Sequence, residues 1–320
     1  MKKIKLIEVS SELGGRKAGA SIGMDAVRIA SYSSDLTKDF YTRFEDDLYT
    51  RITAPNSAYH LPYKYPFAKR IERVFPIFQK TCDEVSKSIT HNDFTTVISG
   101  DHSVAIGTIA GIKQSNPEKR IGVIWIDAHT DVHNPYTSDS GNLHGMPLSS
   151  AINDNNLECQ FNDIDNNIAE FWEELREIGG TKDKVNMADV VYVAIRDFER
   201  AEEHLIKKYN NKIYRTIDVR QIGAIELAHK IIKDLEHCDI IYISFDVDSM
   251  DPSVSVGTGT PFENGLFEYE AKDLLKTLVA CDKVKCLEIS EINPLLDTEN
   301  KMGLCIFNIL KSVCRVVDLS

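Results

Sequence analysis

Three short segments of this chain concentrate the residue types that bind divalent cations: Gly100-Asp101-His102, Asp127-Ala128-His129-Thr130-Asp131 and Asp246-Val247-Asp248. Alternate side chains of an extended chain share a face, so Asp127, His129 and Asp131 point one way, and Asp246 and Asp248 repeat the arrangement. Gathered at one place, these four carboxylates and two imidazoles would repel one another, because each unpaired buried charge costs several kcal/mol. Divalent cations relieve that conflict. Mixed oxygen and imidazole ligation suits Mn²⁺, with Co²⁺, Ni²⁺ or Fe²⁺ as substitutes, better than a thiolate-preferring metal. The expected ligands are therefore His102, Asp127, His129, Asp131, Asp246 and Asp248. One Asp-x-His-x-Asp alone is as easily a polar loop; its combination with Asp-x-Asp and Gly-Asp-His carries the argument.

The elements that would position these groups are short β-rich runs alternating with helical patterns. Strands are expected at Ile4–Val9, Phe94–Ser99, Ile121–Ile126, Val190–Ile195, Lys212–Thr216, Ile240–Phe245 and Val284–Ile289. Helices are expected around Phe67–Ile89, Ser103–Gln114, Ile225–Leu235, Tyr269–Val279 and Leu304–Cys314. Ile225, Ala228, Ile232 and Leu235 show the 3.6-residue spacing of an amphipathic helix. Such alternation predicts an α/β fold, three layers with a mostly parallel sheet between helices. Ligands of such sheets bind outside the carboxyl ends of the strands. Each cation-binding segment directly follows an expected strand, and Glu288-Ile289-Ser290-Glu291-Ile292-Asn293-Pro294 closes another. Residues 32–66, with Pro55, Pro62 and Pro66, read as loop. Residues 152–186, rich in Asn and Asp and then helical around Ile168–Ile178, read as a surface insertion in a single domain spanning 1–320.

Gly100-Asp101-His102-Ser103, Asp127-Ala128-His129-Thr130-Asp131 and Ser244-Phe245-Asp246-Val247-Asp248 resemble the signature segments of the ureohydrolases, which include arginases, agmatinases and formimidoylglutamases. Gly257-Thr258-Gly259-Thr260-Pro261 and Glu291-Ile292-Asn293-Pro294 extend the resemblance, which covers most of the chain. It implies a three-layer α/β/α domain with two Mn²⁺ per chain. Asp127 and Asp246 would bridge the ions, with His102 and Asp131 completing one shell and His129 and Asp248 the other.

Within the family, Ser138-Asp139-Ser140-Gly141-Asn142-Leu143-His144-Gly145-Met146-Pro147 is similar to the arginase loop that recognises the amino-acid end of the substrate. The resemblance thus implies hydrolysis of L-arginine to L-ornithine and urea by a hydroxide held between two ions. Glu291 would pair with the guanidinium, Thr260 would help to orient it, His144 would carry a proton, and Asp131 would act on the nucleophile as well as ligate. Ser138, Ser140, Asn142 and His133 would meet the α-carboxylate; His133 stands where arginases commonly have Asn. Glu199, with Glu203 as a second candidate, would meet the α-amino group in place of the usual Asp. An agmatinase or another guanidino-compound hydrolase is the closest alternative, and a non-catalytic metal-binding relative a distant one. A homo-oligomer, trimer or hexamer, is implied by the same resemblance.

Composition bounds the rest. A net charge of -12, from 37 Lys and Arg against 49 Asp and Glu, argues against nucleic acid or an anionic membrane surface as partner. The seven cysteines are odd in number and lack a Cys-x-x-Cys pair, which suits reduced core thiols. The apolar stretch Ile4–Val9 is too short for a signal peptide and is broken by Lys5 and Glu8, so a cytoplasmic protein is expected.

Overall fold

The expected alternation becomes a single sheet in a computed structural model, which describes residues 3–33, 37–44, 46–91 and 93–319. Its eight strands are β1 (Ile4–Ser10), β2 (Tyr49–Thr53), β3 (Phe94–Ser99), β4 (Ile121–Ile126), β5 (Val190–Val193), β6 (Lys212–Tyr214), β7 (Ile240–Asp246) and β8 (Val284–Ser290). They lie in the order β2-β1-β3-β8-β7-β4-β5-β6, and every pairing is parallel. Parallel strands need helical crossovers that cover both faces, so the central strands must be buried on both sides. All residues of β3, β4 and β7 are buried accordingly.

One apolar core lies on each face. Val27, Leu227, Leu274 and Phe307 bring helices Gly23–Ser31, Ala224–Asp234, Glu268–Val279 and Lys301–Leu319 onto one side. Phe78, Ile109, Trp172 and Leu205 bring Ile71–Thr90, Ala105–Ser115, Asn166–Glu177 and Arg200–Tyr209 onto the other. The layers are thus α/β/α. Trp172 and Leu175 within 152–186 are buried, and Asn166–Glu177 packs against helix Ile71–Thr90, so part of this segment builds core.

Two expectations need correction. Residues 32–66 hold an edge strand, β2, where only Ile52 turns fully inward; its outward neighbour Arg51 pairs with Glu8 at 3.3 Å, so the apolar signal is a single residue. The run Lys212–Thr216 is strand only to Tyr214, and Thr216 opens a helix to Ile222. Among the described residues no helix is long and apolar enough to cross a membrane.

Candidate active site

The strand order sets the carboxyl ends of β3, β8, β7 and β4 side by side, and the three segments rich in Asp and His converge there. After β3 the chain turns at Gly100, where a Cβ would stand 1.9 Å from the Ser11 carbonyl oxygen, so only glycine fits. His102 follows, buried and stacked on the Trp125 ring at 4.3 Å and 11°. Its Nδ1 faces Asp131 Oδ2 at 2.9 Å, Asp246 Oδ2 at 3.1 Å and Asp127 Oδ2 at 3.2 Å. Yet Nδ1 makes no hydrogen bond of acceptable geometry, an uncommon state for a buried polar atom.

Two groups of potential ligand atoms, each within 4.8 Å of one another, meet here: His102, Asp127 and Asp131, and Asp127, His129 and Asp248. Asp127 belongs to both. His129 Nδ1 lies 2.9 Å from Asp248 Oδ2 and 3.5 Å from Asp127 Oδ1. Trp125 Nε1 donates to Asp127 Oδ2 at 3.0 Å, and the Ala128 amide donates to Asp248 Oδ1 at 3.1 Å. Thr260 Oγ1 donates to Asp248 Oδ2 at 2.9 Å, so its hydroxyl is engaged with this carboxylate.

The titration behaviour shows the crowding. Burial raises Asp131 to about 7, helped by the charge of Asp127. Burial, then Asp248 and Asp127, push Asp246 well above the carboxylate range, and burial followed by Asp127 raises Asp248. Burial would raise Asp127 too, but the facing imidazoles of His102 and His129 overcome it and hold it low. Burial lowers both histidines, and the facing carboxylates win, holding His102 and His129 well above their ordinary value. The carboxylates therefore cannot all ionise together without added positive charge. An orphaned imidazole nitrogen facing three carboxylate oxygens, and an all-oxygen-and-nitrogen donor set, fit divalent cations.

Glu291 directly follows β8 at the same rim. Its Oε1 accepts from the His102 amide at 3.0 Å and lies 3.1 Å from His144 Nδ1. Burial opposes ionisation of both groups, yet their mutual attraction lowers Glu291 and raises His144. Asp131 and Glu291 both adopt left-handed backbone, φ 49° and 65°. For residues other than glycine this costs on the order of 1–3 kcal/mol and recurs at functional sites.

Farther along the rim, His133 Nε2 stands 3.4 Å from Glu199 and 3.4 Å from Glu202. Burial lowers His133, but these carboxylates raise it to about 10. Glu203, the second candidate for the amino group, instead pairs with Lys207 at 2.7 Å on the helix exterior. Ser138 Oγ accepts from the Gly141 amide at 3.0 Å and Ser140 Oγ from the Asn142 amide at 3.2 Å. These bonds shape the loop and leave each hydroxyl proton free to donate. Gly141 (φ 67°) approaches the Pro66 backbone too closely for any Cβ, and Asn142 is buried beside it.

Another group, Asp189, His237 and Cys238, lies at the opposite edge, where β5 and β7 begin. Arg120 already engages both oxygens of Asp189 at 2.6 and 2.8 Å, which makes this an ion-pair cluster.

The family model described as Arginase family matches residues 2–314. The chain belongs to the arginase family. It is 30% identical to an arginase of Brevibacillus brevis over 314 residues, covering 98% of this chain and 97% of that protein. The arginase structure of Bacillus caldovelox superposes with a TM-score of 0.80 at 29% identity, over 98% of each chain. An Entamoeba histolytica arginase solved with L-ornithine gives a TM-score of 0.82 at 25% identity, over 98% of this chain and 99% of that one.

Sequence reasoning assigned no role to Trp125, Ser244 or Glu202, which meet Asp127, His102 and His133 at this arginase-family site. Trp125 and Ser244 each precede an aspartate by two residues on one strand face, so the period-2 rule could have placed them. Glu202 accepts from the Glu199 amide at 2.8 Å, the capping spacing that opens the helix, and from Thr130 Oγ1 at 2.5 Å.

Proposed function

We propose that this chain hydrolyses L-arginine to L-ornithine and urea at a centre of two divalent cations, with Mn²⁺ as the native metal and Co²⁺ as a substitute. The observation that carries this reading is Asp127, common to the His102–Asp131 and His129–Asp248 groups, so that one carboxylate would help to hold both cations. His102, Asp131, His129, Asp246 and Asp248 would supply the remaining ligands. Bound there, the cations supply Lewis acidity, which acidifies water toward neutral pH.

Glu291 binds the guanidinium with its carboxylate, held in place by the His102 amide, and aims the central carbon by geometry. Hydrolysis forms a C–O bond from water and breaks the bond between that carbon and Nε. His144, beside Glu291, carries the proton that the departing amine takes up. His133, raised by its two glutamates, offers a cation for the α-carboxylate. Ser138, Ser140 and Asn142 contribute hydrogen-bond donors to the same group, and Glu199 faces the α-amino group. The likeness to the arginase solved with L-ornithine supports this amino-acid pocket.

Urea release should be measured with arginine, agmatine and guanidinobutyrate after reconstitution with Mn²⁺ and with Co²⁺. Arginine is expected to be turned over fastest by orders of magnitude. Preference for agmatine would overturn the substrate assignment, and urea release unaffected by metal removal would overturn the centre.

A further inference from the structure

Arg196, just after β5, belongs to neither ligand group, but its guanidinium ties three segments of the rim together. Nη1 donates to the carbonyls of Ala194 at 2.6 Å and Ser249 at 3.2 Å. Nη2 donates to those of Asp248 at 2.9 Å and Phe262 at 3.2 Å. The Phe262 ring also lies against the guanidinium, with its centroid 5.9 Å from Cζ. The backbone is fixed from a fourth side, because the Arg196 and Asp197 amides bond to the Ala128 carbonyl at 2.8 and 3.0 Å, between Asp127 and His129. A planar fork presents N–H groups at fixed angles to several carbonyls at once, which the single nitrogen of lysine cannot match.

This clasp holds the stretch 257–262. At its start the Asn293 amide donates to the Gly257 carbonyl at 2.8 Å, and at its end Phe262 meets Arg196. Between those two ties, a Cβ on Gly259 would stand 3.5 Å from Glu291 Oε2, and Thr260 Oγ1 donates to Asp248 Oδ2 at 2.9 Å. The stretch therefore passes over Glu291 and Asp248 together. A threonine hydroxyl has one proton, and that of Thr260 is given to Asp248. Its oxygen is left to accept from a further partner, which is what a guanidinium, rich in N–H donors, requires.

We infer that Arg196 is a positioning residue: by clasping Phe262 to the end of β7 it holds Thr260 in place to receive the guanidinium beside Glu291. This rests on the reading above that the chain hydrolyses arginine. The test uses Arg196→Lys, which keeps the charge and loses the fork. In the metal-free full chain, hydrogen exchange of the amides in 257–264 should quicken, while those in 138–145 keep wild-type protection. In the Mn²⁺-loaded variant, kcat/KM for arginine should fall roughly 10–100-fold, as expected when a guanidinium contact shifts by about 1 Å. The inhibition constant of L-ornithine, which has the amino-acid end and no guanidinium, should stay at the wild-type value. Thr260→Val should also slow arginine hydrolysis, and adding Arg196→Lys to it should cost no more than about a further twofold, because the two losses share one cause. Phe262 is exposed, so Phe262→Leu, which strips the ring from the guanidinium, tests the same clasp if Arg196→Lys does not fold; it should show the same pattern in smaller measure. Wild-type exchange in 257–264, equal losses in arginine turnover and ornithine binding, or additive losses in the double variant would overturn the clasp. A wild-type chain that releases no urea from arginine would overturn the substrate reading, whereas the exchange result judges the clasp by itself.

Discussion

Glu291 Oε1 lies 3.1 Å from His144 Nδ1, and the same oxygen accepts from the His102 amide. One carboxylate thus links the Gly100-Asp101-His102 segment, the end of β8 and the loop after β4. His144 is held at the rim by this link, and its backbone amide bonds to the Gly14 carbonyl at 3.1 Å, so its position does not depend on a metal.

His144→Ala should therefore lower turnover by roughly 10²–10⁴-fold, the usual contribution of a positioned acid or base. Metal content, measured by elemental analysis, should stay near two ions per chain. Loss of an ion from this variant would make His144 a ligand and refute the proposed role of proton carrier.

Removing Asp127 and removing His129 should have different consequences. Asp127 belongs to both ligand groups, so Asp127→Ala should lose both ions and nearly all activity. His129 belongs to one, and His129→Ala should keep a single ion. Trp125 reports on the first site, since its ring stacks on His102 and its Nε1 donates to Asp127. Mn²⁺ should quench tryptophan emission in the wild type and fail to do so in Asp127→Ala. Equal metal retention in the two variants would contradict a shared Asp127.

The site was legible where several ligand-type residues crowd a strand end, as at Asp127-Ala128-His129-Thr130-Asp131, because charge repulsion has few physical remedies. The core strands were legible because parallel strands buried on both faces leave unbroken apolar runs. What the chain could not disclose is that β8 and β7 sit between β3 and β4, which brings Glu291 and Asp246 next to His102. That order depends on contacts between segments far apart in sequence. Glu202 and Glu203 illustrate the same limit: neighbouring helical acids look alike, and only helix docking turns Glu202 toward His133 and Glu203 toward solvent. β2 was hidden because an edge strand needs only one buried side.

His133→Ala should act mainly on binding. On the proposed reading its imidazolium would meet the substrate's α-carboxylate, and charge-assisted hydrogen bonds contribute about 1.5–3 kcal/mol. Steady-state kinetics should show KM for arginine rising roughly 10–100-fold, with kcat changed far less. A fall in kcat at constant KM would place His133 in the chemistry instead.

Lys184 offers a test of stability away from the site. It is buried, and its Nζ donates to the carbonyls of Arg176 at 2.6 Å and Ser150 at 3.3 Å; among the described residues no carboxylate pairs with it. Burial, and then the neighbouring Arg176 charge, lower it from 10.5 to about 7. Between those two values the unfolded chain binds the proton that the folded chain has released, so stability gains with rising pH across this window. Below pH 7 both states are protonated and the cost of burying the charge is fully present. At about 1.4 kcal/mol per tenfold change in proton affinity, that cost is bounded at about 5 kcal/mol, less what the two carbonyl bonds return. Lys184→Met removes the charge but also those bonds. Relative to the wild type, its stability in denaturant should therefore be highest near pH 6 and should fall steadily from pH 7 to 10. A stability difference that stays constant across this range would mean that Lys184 keeps its proton in the fold, held by the two carbonyls.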